Sequence, residues 1–196
     1  AIGSGLNTSE PTGNIIVDIG GGTTEVAVIS LGGIVVSESL KVAGDEITDD
    51  IINYAKKNLG IVIGEVTGEN IKKQLACAKP LVTEESMEIR GRDIVTGLPV
   101  IKKITSTDVG LAIHDSLLKI VEAIKNCLEQ TPPELLSDIA IKGIMVAGGG
   151  ALIKNLDELI SEKTETPVYI ATEPLECVVK GTQKIVEDIH LKKVLG

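Results

Sequence analysis

The sequence predicts an α/β fold in which a sheet is flanked by helices and a small α/β insert interrupts the chain. Three observations support this prediction. Two runs of apolar residues each lead into a glycine triplet, in DIGGGTTE from Asp18 to Glu25 and VAGGGALIKNL from Val146 to Leu156. Apolar residues recur at helical spacing between these runs. Glycine and proline punctuate short apolar runs from Met87 to Ile104, which indicates strands joined by turns.

The first triplet is predicted to join two strands. Residues 14–18, 25–31 and 34–40 have the β-branched content of strands, and Gly32 and Gly33 are expected to join the last two. Neither the Walker spacing G-x-x-x-x-G-K-[ST] nor the Rossmann spacing G-x-G-x-x-G occurs at this triplet. A glycine hairpin of this kind leaves consecutive backbone amides bare and lets phosphate approach them closely.

Helical patterns account for most of the remaining chain. An amphipathic helix is predicted from Asp45 to about Gly60, and a second from Glu69 to Ala78 with Pro80 as the stop. Thr107 is predicted to cap a long helix, with an inward face of Val109, Ile113, Leu117, Ile120, Ile124 and Cys127. A shorter helix is expected to begin at 131–134, strands at 144–147 and 167–171, and a final helix at Glu173 and Pro174.

The second triplet is predicted to link a strand to a helix N-terminus, because Leu152, Leu156, Leu159 and Ile160 recur at helical spacing. Amides and the helix dipole there favour an anion or a polar ligand. Either triplet alone is better explained as a tight turn or a close helix contact. Both together, with Asp18 ending the first strand, favour a phosphate site where Asp18 holds hydrated Mg²⁺.

Composition excludes several classes of function. The chain has 19 basic and 28 acidic residues, a net charge of -9, which argues against nucleic acid as a partner. No run approaches the roughly 18 apolar residues of a membrane span, and no secretion signal is visible at the start. Cys77, Cys127 and Cys177 are isolated and are expected to be reduced core thiols, so a cytoplasmic location is predicted.

Five sequence blocks carry a family resemblance. They are DIGGGTTEVAVISLGG, GDEITDDIINYAKKNLGIVIGEVTGENIKKQL, EIRGRDIVTGLP, TPPELLSDI and VAGGGALIKNLDELI. In this order, over nearly the whole chain, they resemble the MreB family of bacterial actin homologues. The resemblance implies an actin-like, ribonuclease H-like ATPase lobe with a mixed sheet. It further implies a nucleotide-binding lobe (subdomain IIA type) formed by residues 1–44 and 105–196, and an inserted α/β subdomain (IIB type) formed by residues 45–104.

The resemblance also assigns ligands to residues. It implies that Gly20, Gly21, Gly22 and Thr23 hold the β and γ phosphates of ATP, and that Asp18 holds Mg²⁺ through water. Glu69 and Lys72, one helical turn apart, would contact the nucleoside. Gly148, Gly149, Gly150 and Ala151 would flank the adenosine.

The resemblance is incomplete at the start of the chain. The family carries another phosphate hairpin and a water-activating glutamate upstream of a segment similar to AIGSGL, within which this sequence opens. We therefore expect one half of a two-lobed ATPase, with no catalytic residue assigned, little or no hydrolysis of its own, and no membrane contact. The partners implied are further filament subunits and the machinery of cell shape and wall synthesis.

Two other readings remain open at the sequence level. The chain could be an interaction module that uses residues 45–104 for polymer contacts and binds no nucleotide. A sugar kinase or chaperone ATPase of the same superfamily is less favoured, because no substrate groups are visible. Neither His114 nor His190 is assigned a role, and Arg90 and Arg92 are expected on a solvated face or a subunit contact.

Overall fold

A computed structural model describes residues 1–187. The strands are β1 (Asn14–Ile19), β2 (Thr24–Ser30), β3 (Gly33–Leu40), β4 (Ile61–Val62), β5 (Ser86–Asp93), β6 (Pro99–Thr105), β7 (Ile144–Ala147) and β8 (Val168–Ile170). The helices are α1 (Gly44–Asn58), α2 (Glu65–Leu75), α3 (Ser106–Glu129), α4 (Pro133–Lys142), α5 (Leu156–Thr164) and α6 (Cys177–Glu187). Short 3₁₀ turns occupy Gly149–Leu152 and Pro174–Glu176.

The main sheet has five strands in the order β3-β2-β1-β7-β8. Strands β1, β2 and β3 pair antiparallel, whereas β7 pairs parallel to both β1 and β8. The predicted α/β class with a mixed sheet flanked by helices is confirmed. Because β1 and β7 are parallel neighbours, the two glycine triplets leave the sheet at the same edge.

The β2–β3 hairpin turns one residue earlier than predicted. Leu31 and Gly32 both have positive φ, of 50° and 74°, the pattern of a two-residue I′ turn. Gly33 is therefore the first residue of β3, and Leu31 lies in the turn rather than in β2. The two residues with positive φ fix the position of the turn. The Gly32-Gly33 pair alone did not show that Leu31 would be one of them.

The segment between the two parts of the main sheet forms a second sheet, in the order β4-β5-β6, together with α1 and α2. Helix α2 begins at Glu65, four residues before the predicted start at Glu69. The extra turn contains Gly68, whose added Cβ would lie 2.9 Å from Ile52 Cγ1 and 3.0 Å from Thr48 Cγ2. Glycine is needed there for close packing of α2 on α1, although it lowers helix propensity.

The long helix α3 begins earlier than predicted. Its cap is Thr105, not Thr107: the Asp108 amide donates to Thr105 Oγ1 at 3.2 Å, and the Thr105 amide donates to Asp108 Oδ2 at 2.9 Å. This reciprocal capping box satisfies two amides, which a single threonine cannot do. The predicted inward face is confirmed, since all six of its side chains are buried.

One cluster of buried side chains runs from the main sheet into the second sheet, so the division at residues 44 and 105 stays a prediction. Its members include Ile15, Val26, Ile51, Ile71 and Ile89. The three cysteines are buried and unpaired, as expected. Among the described helices, none combines the length and the apolar character needed to cross a bilayer.

Candidate functional site

A cavity of about 1030 Å³ lies where the two glycine triplets meet helices α1 and α2. Of the predicted site residues, its wall includes Gly20, Gly21, Glu69, Lys72, Gly149 and Gly150. Asp18, Gly22, Thr23, Gly148 and Ala151 are not part of that wall. The structure therefore brings residues from both triplets together with the Glu69–Lys72 pair, although these segments lie far apart in the sequence.

The first glycine loop is held by backbone hydrogen bonds. The Gly20 amide donates to the Thr23 carbonyl at 2.9 Å, which closes the hairpin. The amides of Gly44 and Asp45, at the start of α1, donate to the carbonyls of Gly20 and Gly21 at 3.0 and 2.8 Å. Because the first amides of a helix have no partner within the helix, they are available to anchor this loop.

Neither backbone conformation nor packing within the chain requires glycine at the tip of this loop. Gly21 and Gly22 are exposed and do not have positive φ. An added Cβ would approach only the Asp45 carboxylate, at 3.7 Å from Gly21 and 3.8 Å from Gly22, which is ordinary van der Waals contact. The bare backbone therefore leaves room for something outside the chain, as a close phosphate contact would require.

A polar network joins α2 to the start of α1. The Lys72 ammonium lies 2.6 Å from Glu69 Oε2, 2.8 Å from the Gly44 carbonyl and 3.0 Å from Thr48 Oγ1. Thr48 Oγ1 also lies 3.0 Å from Glu69 Oε2. The i, i+3 spacing of Glu69 and Lys72 thus places the two groups side by side at the cavity; that both contact one ligand stays a prediction.

The environment of Glu69 favours its charged form. Burial alone would raise the pKa of this carboxyl, but hydrogen bonds from Lys72, Thr48 and Lys73 outweigh burial and hold the pKa below its ordinary value. The Glu69 carboxyl is consequently ionised at neutral pH. It presents a carboxylate to the cavity that can accept hydrogen bonds from hydroxyl or amine groups of a ligand.

The second glycine loop differs from its prediction. It opens a 3₁₀ turn, Gly149–Leu152, whereas α5 begins only at Leu156, so no α-helix N-terminus lies at this triplet. The amides of Ala151 and Ile153 donate to the carbonyls of Gly148 and Gly150, three residues back. Leu152, which was expected on a buried helix face, is 59% exposed and lines the cavity.

Packing explains two glycines of this second triplet. Gly148 has φ of +82°, and its added Cβ would lie 2.4 Å from Asp18 Oδ1. At Gly150 an added Cβ would lie 2.2 Å from Ile19 Cγ2. These two positions must be glycine for β1 and the second loop to approach each other, whatever the cavity binds.

Asp18 lies near the end of β1 and is half-buried beside Gly148. Burial raises the pKa of its carboxyl above the ordinary value, which means that a nearby cation would be favourable. Within residues 1–187 no three His, Cys, Asp or Glu side chains converge as a metal cluster.

Several residues at the cavity were not singled out from the sequence. They are Gly44, Asp45, Thr48, Asn70, Lys73 and Leu175. The pattern GDEIT contains the first three, and a helix N-terminus directly after a strand would have been the signal to look for. His114, Arg90 and Arg92 are exposed and lie outside the cavity wall. His190 lies outside the described residues.

Comparison with known proteins finds relatives that match nearly the whole chain. The family model described as MreB/Mbl protein matches residues 1–194. The chain is 46% identical over 189 residues to the cell shape-determining protein Mbl of Bacillus subtilis, covering 96% of this chain and 57% of Mbl. It is 47% identical over 191 residues to the cell shape-determining protein MreB of Escherichia coli, covering 97% of this chain and 55% of MreB.

A solved structure agrees with these relatives. The crystal structure of MreB5 of Spiroplasma citri bound to AMPPNP superposes with a TM-score of 0.93 at 44% identity, covering 100% of this chain and 58% of MreB5. The chain thus spans little more than half the length of the relatives it matches. The resemblance found in the five sequence blocks is confirmed: this chain belongs to the MreB/Mbl family of actin-like proteins.

Proposed function

We propose that this chain supplies a nucleotide-binding lobe of an MreB-like bacterial actin, and that it binds ATP with Mg²⁺. The observation that carries the proposal is the cavity of about 1030 Å³, which unites both glycine loops with the Glu69–Lys72 pair. A mostly preformed cleft of this size is typical of small-ligand sites. The AMPPNP bound to MreB5 of Spiroplasma citri supports a nucleotide as the ligand.

The residues fit the parts of the ligand. The backbone of the loop Gly20, Gly21, Gly22 and Thr23 suits the β and γ phosphates, because its last three residues are exposed and no atom of the chain fills the space above Gly21 and Gly22. Glu69 and Lys72 suit the nucleoside. The second loop, Gly148, Gly149, Gly150 and Ala151, would flank the adenosine through Gly149 and Gly150, which line the cavity. Mg²⁺ would neutralise phosphate charge; Asp18 offers one carboxylate for it, through water.

Calorimetric titration of Mg·ATP into the purified chain tests this proposal. We expect saturable micromolar binding that is lost in Gly21→Val, because the valine side chain would occupy the space left for phosphate. Gly33→Val is the matched control, since Gly33 lies at the opposite end of β2 and its added Cβ would meet nothing closer than 3.7 Å. Absence of binding at millimolar ATP, or equal binding by all three proteins, contradicts the assignment.

We further propose self-association into filaments, through a patch at the tip of the β5–β6 hairpin that consists of Ile94, Val95 and Leu98. Val95 is 89% exposed and Leu98 is 64% exposed, and such adjoining apolar side chains are typical of protein contacts. This observation also favours the second reading, an interaction module that needs no nucleotide. The names of the Mbl and MreB relatives support a role in cell shape. We further propose that this role is exerted in the cytoplasm together with the wall-synthesis machinery.

Sedimentation velocity with and without Mg·ATP separates the two readings. A nucleotide-dependent polymer predicts association that rises with Mg·ATP and falls in Val95→Asp, whereas a nucleotide-free module predicts the same association in both conditions. Val82→Asp is the control, because Val82 is fully exposed but outside the hairpin patch. A monomer under all conditions contradicts self-association by this chain.

A further inference from the structure

Lys154 follows the second glycine loop and is not part of the cavity wall. Its amide donates to the Ala76 carbonyl at 3.2 Å, and its carbonyl accepts from the Ala78 amide at 2.8 Å. Lys154 and Cys77 are thereby paired as in a parallel sheet. Because Ala76 is the C-cap of α2, the main chain after the second loop is joined directly to the end of that helix.

The side chain of Lys154 crosses the same junction. Its ammonium donates to the Gln74 carbonyl at 3.0 Å and forms an ion pair with the Glu85 carboxylate. Gln74 lies in the last turn of α2, where carbonyls have no partner within the helix and where the helix dipole favours a cation. Lys154 therefore stabilises the end of α2 from a distant part of the chain.

The acidic partner of Lys154 is itself held in place. The Glu85 amide donates to Ser106 Oγ at 3.1 Å, and the Ser106 amide donates to the Glu85 carbonyl at 2.8 Å. Ser106 is buried at the start of α3. A surface ion pair usually loses much of its energy to the ordering of its two side chains. Here the main chains of both partners are already fixed by hydrogen bonds, so less ordering remains.

The two segments that Lys154 joins both line the cavity. Glu69 and Asn70 belong to α2, whereas Gly149 and Ile153 precede Lys154 along the second loop. We propose that Lys154 is a positioning residue, which fixes the separation of α2 from the second glycine loop and thereby the width of the cavity. The joining of the two segments stands on the contacts above, whereas its consequence for nucleotide affinity rests on the proposed function.

Amide hydrogen exchange measured by NMR tests the junction without any ligand. In Lys154→Met we expect the Ala76 and Ala78 amides to exchange about threefold faster, because a charge-assisted contact between the two segments is lost. Lys163→Met is the matched control. Lys163 is 44% exposed, against 37% for Lys154, and its ammonium lies 4.0 Å from Glu162 on the same helix. Unchanged exchange in Lys154→Met, or equal acceleration in Lys163→Met, overturns the proposal.

Titration with three ligands distinguishes positioning from a general loosening of the chain. In Lys154→Met we expect the affinities for Mg·ATP and for adenosine to fall by the same factor, about threefold, because both ligands place a nucleoside between α2 and the second loop. The affinity for Mg·tripolyphosphate, which needs only the first loop, should stay unchanged. Lys154→Arg keeps the charge and should restore most of both affinities.

Two results of these titrations overturn the positioning role. One is an adenosine affinity that does not change in Lys154→Met, and the other is an equal loss for all three ligands. If the unmodified chain binds neither Mg·ATP nor adenosine, the proposed function fails, while the exchange experiment still decides whether Lys154 holds the two segments together.

Discussion

The two glycine triplets look alike in the sequence, but the structure explains their glycines in opposite ways. In the first, a Cβ added at Gly21 or Gly22 would come no closer than 3.7 Å to any atom outside the adjoining residues. In the second, side chains at Gly148 and Gly150 would collide with Asp18 and Ile19. The first triplet is open to solvent, where the ligand is proposed to bind, whereas the second packs closely against the protein itself. Substitutions in the two loops should therefore separate binding from stability.

The largest expected effect is on folding and comes from the second loop. Gly150→Ala places a methyl group 2.2 Å from Ile19 Cγ2 and 2.7 Å from Ile19 Cβ, in the buried core. Overpacking of this kind should lower the free energy of unfolding by about 3 kcal/mol. Chemical denaturation monitored by circular dichroism measures the loss.

Gly149→Ala is the matched control for this substitution. Its added Cβ would lie 3.3 Å from Leu175 Cδ2, the end of an exposed side chain that can move. We expect a change within about 0.5 kcal/mol. Equal destabilisation by both alanines would mean that the contact with Ile19 is not the reason why position 150 requires glycine.

The next effect is on binding and comes from the first loop. Gly21→Ala should leave the free energy of unfolding within about 0.5 kcal/mol of the unmodified chain, because no atom of the chain is displaced. It should weaken Mg·ATP binding about tenfold or more, and the rise in melting temperature that saturating Mg·ATP produces should shrink accordingly. A large loss of stability without ligand would show that this loop, too, is glycine for internal packing.

Asp18 lies next to both glycine loops. It is near the end of β1, which leads into the first loop, and it packs against Gly148 of the second loop. Burial raises the pKa of this carboxyl, so its charged form destabilises the folded chain. Asp18→Asn should therefore raise the free energy of unfolding at pH 7, and this gain should fade as the pH falls through the raised pKa to below the ordinary value for aspartate. Urea denaturation at several pH values measures it.

The same substitution should weaken ATP binding in the presence of Mg²⁺ and not in its absence, because the carboxylate is the proposed partner of the hydrated ion. Titrations with Mg²⁺ and with EDTA measure this difference. If Asp18→Asn gains stability and its ATP binding still depends fully on Mg²⁺, then Asp18 does not hold the metal. The conclusion that burial destabilises its charged form would still stand.

Much of the fold was predictable from local pattern. The inward face of α3 and the strands β1 and β7 follow from the spacing of apolar residues, and all of those strand positions are observed. The start of α2 was not predictable in this way, since Gly68 lowers helix propensity and is required by the close approach of Ile52 and Thr48 on α1. Likewise, Thr105 and Thr107 are equally good caps until the position of Asp108 is considered.

The sequence predicted the individual segments of the candidate site, but not the contacts that join them. The glycine triplets, Glu69 and Lys72 were found by motif and by family resemblance, and the cavity joins them. The contact of Lys72 with Gly44 crosses 28 positions of sequence and depends on the packing of α2 on α1, which no local pattern encodes. For the same reason, the sequence could not tell which triplet needs its glycines for packing.

The smallest expected effect is at Glu69. This residue pairs with Lys72, which contacts Gly44, and Gly44 in turn anchors the first loop. Its pKa is lowered in the folded chain by hydrogen bonds that outweigh burial, so the charged form adds stability that is present at neutral pH and lost as the pH falls through the lowered pKa. Because the side chain is 36% exposed, solvent screening limits the contribution. Glu69→Gln should lower the free energy of unfolding by less than about 1 kcal/mol at pH 7. Denaturation at pH 7 and at a series of lower pH values measures the difference, which should shrink as the pH falls through the lowered pKa. A difference that stays constant over that range would mean that the shape of the hydrogen-bond network, and not the charge of Glu69, holds α2 against the start of α1.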